Sequence, residues 1–587
     1  VAANNIEELI KLAHSYEEQG LFSKAIETCN RVLQIDELSF QAIAISCRCY
    51  SELDDLEKAI TLAGSLIKAF PENPDSHALR AMLHHKEGSQ RFEIMSYEKA
   101  LEISPTHYES LCNLAGAYIE SGKFHAAAAK IKRLKDLLPS DNMVTFLEGL
   151  LHGAEKRIEN EVSSYRDALS KSPDNADMWY NLGGALMDKG DFTEAIGAFR
   201  NSIDLDSSKI DVHFNLAAAF FEEKRYSDSE SALKRALEDF PENGFLWYNL
   251  GYVQASNQKY DLAVQAYKKA VDIDNTMADA YYNMAYIYFK TGDYPKAIST
   301  YRRVIELNPE RFNAYYHLAF SLDKCKKYDE AIEVYKKILT FRPDDHKSYS
   351  KLAMVFHHIG DMEKVKSACI RSLEMEKVSN PEAHYYLGLV AEDEGDFQLA
   401  SSELRKSLMQ EPDFRDAHLR RAVVLRRLKE FDEAKIEAKE AVRSLGSAAA
   451  YYEMGRCYGE QNDNRKAAGA YRKAIEIRPS HKKSILALID VLENDSKSII
   501  RVCEEAIANK AKFFELYYQY ALALKADEQY EKALKKARKA VSMKVEDASI
   551  YALVASLYSK LGQADKALKY KKKFDSMKAL SYSTISD

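Results

Sequence analysis

Only two tryptophans occur in 587 residues, and glycine and proline together number 34. A collagen-like or low-complexity chain needs far more of the latter pair. With 46% apolar and 29% charged residues, the composition is that of a chain that folds. No apolar run approaches the ~18 residues needed to cross a bilayer, so no membrane span is expected. The eight cysteines form no CxxC pair, which leaves neither a dithiol centre nor zinc-type ligand spacing. Cys29, Cys369 and Cys503 fall on helical faces expected to be buried, and Cys47 replaces a small residue. Small buried thiols fit a reducing compartment, and a cytoplasmic location is the expectation. The sequence opens VAANN, without methionine, so a removed export signal stays open.

The signatures of catalysis are missing as well. There is no G-x-G-x-x-G, no P-loop, no H-E-x-x-H and no G-x-S-x-G. Fifteen histidines are scattered. His317, His357 and His358 lie in adjacent segments, but no carboxylate or cysteine is expected at their level to complete a metal set. The abundant carboxylates sit in GDF, KYD and EEA contexts, which are turn and helix-start chemistry. The reading is a non-enzyme without metal or cofactor.

What the chain does have is a period. Pro71, Pro105, Pro139 and Pro173 are spaced 34 residues apart, and Pro241, Pro309 and Pro343 continue at multiples of 34. Each sits between two helical runs, where a residue lacking its N–H ends one helix without spoiling the next. Pro295 in GDYPKAI stands instead at a helix start, where the missing donor costs little. Within each period a first helix carries an aromatic or leucine, then leucine, then a small residue: Trp179, Leu182, Gly183, Leu186; Tyr281, Met284, Ala285, Tyr288. A turn centred on glycine follows, at Gly190, Gly292, Gly360 and Gly395. The second helix carries Ala195, Phe199, Ser202 or Ala263, Tyr267, Ala270 on one face. Small residues belong where two helices cross closely, and a pair this short must stack on its neighbours to bury its face.

WYNLGGALMDKGDFTEAIGAFRNSI (179–203) and YYNMAYIYFKTGDYPKAISTYRRVIELNP (281–309) resemble the tetratricopeptide repeat (TPR) family. The resemblance covers residues 6–580 in about seventeen units and implies an all-α, right-handed superhelical solenoid lined inside by the first helices. Three stretches of one solenoid are expected: divergent units over 6–175, near-consensus units over 176–380, and basic units over 381–580. In the first stretch Glu93 stands where alanine is usual, and 142–175 lacks the glycine turn. The period gains a residue near 378–380, loses one near Gly446 and about two in ENDSKS (493–498).

With each unit numbered from three residues before its Trp or Tyr, the sixth position reads Asn113, Leu147, Asn181, Asn215, Asn249, Asn283, His317, Lys351. Four consecutive asparagines offer a donor and an acceptor per unit. They resemble the asparagine ladder in the TPR arm of O-linked N-acetylglucosamine transferases, whose catalytic domain this sequence lacks. The resemblance implies clamping of an extended peptide; the alternative is that the asparagines only cap or bridge units. The fifth position is aromatic, including Tyr248 and Tyr282, and Tyr252, Tyr286 and Phe320 follow four residues on. They form a candidate aromatic strip over 248–320.

Charge divides the chain. Residues 415–587 hold 35 Lys/Arg and 24 Asp/Glu, which leaves −18 for the remainder of a net −7. The change begins at RDAHLRRAVVLRRLKEF (415–431), where Arg420 takes the sixth position and Arg421 a leucine site. With Arg427, Lys347 and Lys351 this makes a candidate basic contact zone for an acidic or phosphorylated partner. Lys347 and Lys351 match two of the five residues of TPR carboxylate clamps, too few to expect a chaperone clamp. KALKKARKA (532–540) and KALKYKKKF (566–574) read as solvated outer faces, and a nucleic-acid binder is not expected from an acidic chain. The expected function is a scaffold holding a peptide segment or helix of a partner protein in its groove over 180–320. The alternative is an accessory subunit that recruits clients to a separate enzyme or chaperone. Self-association stays open.

Overall fold

Each 34-residue period folds as two helices of about 13 and 14 residues. The unit at 176 supplies Ala176–Lys189 and Phe192–Leu205, the next Ile210–Glu222 and Tyr226–Asp239, then Gly244–Ser256 and Tyr260–Ile273. The computed structural model describes residues 2–374, 379–493, 495–543 and 547–583; among them are 34 helices and no strand, which makes seventeen pairs. The first helix starts at Ala2 and the last ends at Ser583, slightly beyond the expected 6–580.

Helix starts follow their caps. The Asn175 side chain accepts from Met178 N and that of Asn243 from Leu246 N. The tryptophans occupy matching places for a structural reason: Trp179 Nε1 donates to the Pro173 carbonyl at 2.8 Å and Trp247 Nε1 to that of Pro241 at 2.9 Å. His418 uses the same site, its Nε2 lying 2.9 Å from the Pro412 carbonyl.

The expected glycine turn is a general left-handed turn. Gly190 and Gly360 have φ of 86° and 87°, but Lys156, Lys224, Gln258, Lys326 and Lys429 take φ near 60° in their own units. Residues 142–175 therefore keep the turn without the glycine, at the steric cost a side chain bears in that region.

The period slips are met locally. Gly446, with φ 53°, lets the chain pass from Phe431–Leu445 to Ala448–Gly459 in two residues. Of the insertion near 378–380, Val378 lies outside the described residues; Asn380 is buried, bonds Ser350 and Ser372, and caps Pro381–Asp393. In 493–498, Asn494 lies outside them, and Lys482–Leu492 and Ser496–Ala508 flank it.

Two compact bodies are distinguished, residues 1–290 and 291–587. In each, successive helices pack on one another, and several first helices also touch the first helix of an adjoining unit. Among the described residues no second-helix pair makes comparable contact, so where first helices meet they lie on the tighter side of the stack. Small residues sit at the crossings as expected. A Cβ on Gly183 would stand 2.5 Å from the Phe199 ring, and one on Gly251 2.8 Å from that of Tyr267. Seven cysteines, including Cys29, Cys47, Cys369 and Cys503, are buried, and Cys325 is half-buried.

Candidate functional site

The four ladder asparagines are all half-buried on first helices of the first body, but their amides have two kinds of partner. Asn181 Nδ2 donates to the Asp177 carbonyl and Asn249 Nδ2 to the Phe245 carbonyl, each at 2.8 Å and one turn back. Asn215 Nδ2 reaches the Tyr180 hydroxyl and Asn283 Nδ2 the Tyr248 hydroxyl, each at 3.3 Å in the preceding unit. The fifth residue of the preceding unit decides which. Where it is tyrosine, the amide crosses between units; where it is Phe146 or Phe214, without a hydroxyl, the amide turns back on its own helix. Both modes engage an amide N–H, and the same side chain also carries a carbonyl, an acceptor.

The fifth-position rings are largely packing. Tyr180 lies against Phe199 with centroids 6.1 Å apart and Tyr248 against Tyr267 at 5.8 Å; Tyr282 is also half-buried. Four residues on, the rings emerge: Tyr252 is 45% exposed and Tyr286 43%. Asn215, Asn249 and Tyr252 share a cleft of about 470 Å³ with Phe214, Phe221 and Phe245. Phe221 and Tyr252 pack with centroids 5.4 Å apart. Phe245, 61% exposed, was not among the expected site residues. Its signal was present: it is apolar at the unit's second position, where neighbouring units carry Asp177, Asp211 and Asp279.

Phe320 belongs to the second body, where it is half-buried with Lys324 Nζ 4.9 Å over its ring. The strip is therefore described as two parts, Tyr248 to Tyr286 in one body and Phe320 in the other.

The basic zone is largely neutralised by carboxylates. Lys351 Nζ lies 2.6 Å from Glu382, whereas Lys347 is exposed. Arg420 and Arg427 are each 3.9 Å from Glu392, and Arg427 also covers the Phe397 ring at 5.2 Å. Arg421 turns to Glu433 and Glu437, while buried Arg426 is held by Glu453 and, at 2.8 Å, by Glu460. Lys429 is the left-handed turn residue. Of these basic residues, Lys347, Arg420, Arg427 and Lys429 are exposed to solvent.

One expectation about the histidines is corrected. A carboxylate does stand at their level: Asp323, buried, lies 2.6 Å from His358 Nδ1. It is drawn there because an interior carboxylate needs a donor. Burial holds His317 below its ordinary pKa, and burial with His358 and Arg420 does the same for His357. Among the described residues no group of three or more His, Cys, Asp or Glu is placed to hold a metal ion. Nor is any helix among them long and apolar enough to cross a membrane.

Several tetratricopeptide-repeat family models match this chain, at 16–83, 96–129, 162–209, 186–251, 385–449 and 448–481. A model described as the cytochrome c-type biogenesis protein H TPR domain matches 221–349. Among curated proteins, the chain is 25% identical over 187 residues to tetratricopeptide repeat protein 8 of Caenorhabditis elegans, covering 32% of this chain and 37% of that one. It is 28% identical over 142 residues to anaphase-promoting complex subunit 3 of Schizosaccharomyces pombe, covering 24% and 21%. The matched stretches thus span less than half of either relative. Among solved structures, the APC/C hetero-tetramer Cut9–Hcn1 aligns at 16% identity with a TM-score of 0.33, over 84% of this chain and 91% of that one. Repeat models recur from residue 16 to 481, and the described residues form seventeen helix pairs, several of which cross at a glycine; the chain belongs to the tetratricopeptide-repeat family.

Proposed function

We propose that the chain is a non-catalytic interaction scaffold whose inner face, over the near-consensus units, holds an extended segment or helix of a partner protein. One observation carries this reading: the cleft shared by Asn215, Asn249 and Tyr252, where two asparagine side chains stand beside exposed Phe245 and Tyr252 rings. An extended chain offers one backbone N–H per residue, and a row of acceptors at a fixed spacing takes such donors without reading side chains. The rings supply apolar area at low entropic cost, the usual source of binding energy in a groove. Lys347, Arg420 and Arg427 form a secondary zone for an acidic stretch of the same or another partner, at the modest strength of exposed, half-compensated charge.

The test is affinity capture from a lysate of the source organism, comparing wild type with Asn181, Asn215, Asn249 and Asn283 all changed to alanine. Circular dichroism first establishes that both are folded. A protein lost from the variant and bound directly by the wild type in purified form supports the ladder. Identical captures sink it and leave the asparagines as architecture.

A further inference from the structure

Two departures from the repeat pattern in the divergent N-terminal units, Glu93 in place of alanine and the outlying Asn113, line one cleft of about 820 Å³. It opens between Pro74–Lys86 and Tyr108–Glu120, with Met143, Phe146 and Leu147 on the far side. Glu93 is 4% exposed, and His85 Nδ1 lies 3.1 Å from its Oε1. Its Oε2 has no hydrogen bond among the described residues. Glu109, Glu120 and Lys86 also line the cleft, and the Lys86 ammonium is engaged by the Ser51 carbonyl and Glu52. Met82, Met143 and Phe146 form apolar walls.

A carboxylate buried against apolar walls is costly unless a cation meets it. Burial pushes the Glu93 carboxyl above its ordinary range against the pull of His85, and Glu120 adds to the push. Elsewhere in the chain a glutamate at this position is accommodated by shrinking the facing residue: a Cβ on Gly153 would stand 2.5 Å from Glu161 Oε1. At Glu93 the facing residue is His85, and the space beside it is open. A long aliphatic stem ending in a positive charge fits that combination, because lysine and arginine lay their methylenes on apolar surface while the head seeks an anion.

We propose that this cleft receives a lysine or arginine side chain of a partner polypeptide, its stem between Met82, Met143 and Phe146 and its charge on Glu93 and Glu120. The site lies outside the asparagine-bearing groove and does not rest on that reading.

The probes are N-acetyl-L-arginine N-methylamide and its neutral citrulline counterpart, titrated against the full chain by saturation-transfer NMR. The arginine probe binds at millimolar concentration, and the citrulline probe binds at least tenfold more weakly. Glu93→Ala, which installs the residue most units carry and so keeps the fold, weakens the arginine probe at least tenfold. The quadruple asparagine variant binds it as wild type does, which separates failure here from failure of the ladder. Equal binding of the two probes, undiminished binding by Glu93→Ala, or no transfer to the arginine probe would overturn the proposal.

Discussion

Gly183 and Gly184 are neighbours in one helix, yet alanine at the two positions should change stability in opposite directions. Both replacements gain the same intrinsic helix preference, about 1 kcal/mol. At Gly184 an added Cβ meets nothing within 4 Å, so that gain stands nearly alone. At Gly183 the Cβ would lie 2.5 Å from Phe199 Cε1, and the ring is fully buried against its unit and cannot swing into solvent. Overpacking a filled core costs about 1–3 kcal/mol. The ring has some room to yield, because other units combine alanine with a tyrosine at the equivalent positions, Ala285 with Tyr301 and Ala319 with Tyr335. The lower half of that range is therefore expected. Gly184→Ala should stabilise by about 0.5–1 kcal/mol, and the two variants should differ by about 1–2 kcal/mol. The propensity gain cancels in that difference, which isolates the steric contribution. A long repeat array need not unfold in one step, so a global midpoint is the wrong readout. Trp179 lies in the same helix, and a Trp247→Phe background makes its fluorescence a local reporter. The urea midpoint should fall by about 1 M from Gly184→Ala to Gly183→Ala. A Gly183→Ala midpoint equal to or above that of Gly184→Ala would refute the close-crossing account of the small residues.

Three other outcomes are expected. Arg426→Leu strands the buried carboxylate of Glu453 and should cost about 3–5 kcal/mol, while the double change with Glu453→Leu recovers most of it in urea titrations. His418 is held above its ordinary value of 6.5, first by its hydrogen bond to Glu437; burial pushes Glu437 up, but His418 and Arg421 carry it below its ordinary 4.5. Arg421, Glu433 and Glu440 are the other charges at this pair. The histidine contribution is complete below 6.5 and lost as pH rises through the folded value; the glutamate contribution is complete above 4.5 and lost as pH falls. Local stability over 415–445, read by hydrogen exchange corrected for intrinsic rates, should therefore peak between those values. His418→Gln should remove the alkaline fall; an unchanged profile would place its cause elsewhere. Seven thiols are buried, burial raising those of Cys47, Cys369, Cys457 and Cys503 to about 12, so Ellman's reagent should label one thiol per native chain. Cys325→Ser should abolish that signal, and rapid labelling of several thiols would contradict the packing.

Much of this architecture was legible because the repeat writes each structural demand many times. Proline spacing gave the unit boundaries, and Gly183 with Phe199 gave the helix crossing, since close approach leaves few residue choices. The turn was harder to see, because a left-handed residue costs little enough that Lys156 or Lys224 replaces glycine and leaves no compositional mark. The basic zone was over-read. A sequence displays Arg421 and Arg426 as free charges, but their partners Glu437 and Glu453 lie 16 and 27 residues away on other helices. Phe245 was not legible from the repeat because it is a single departure, an apolar residue where neighbouring units carry Asp177, Asp211 and Asp279.

The two amide partners of the asparagines have a mechanical consequence. Flexing that draws adjoining first helices apart must stretch a side-chain hydrogen bond at the 180–215 and 248–283 joints. At the 146–181 and 214–249 joints a phenylalanine stands in the tyrosine's place, and the asparagine is tied to its own helix. Compliance along this stretch thus alternates, stiff joint with soft. The elastic repeat length is two units although the sequence repeat is one, and a single hydroxyl, added at Phe214 or removed at Tyr180, would shift the place where the spring yields.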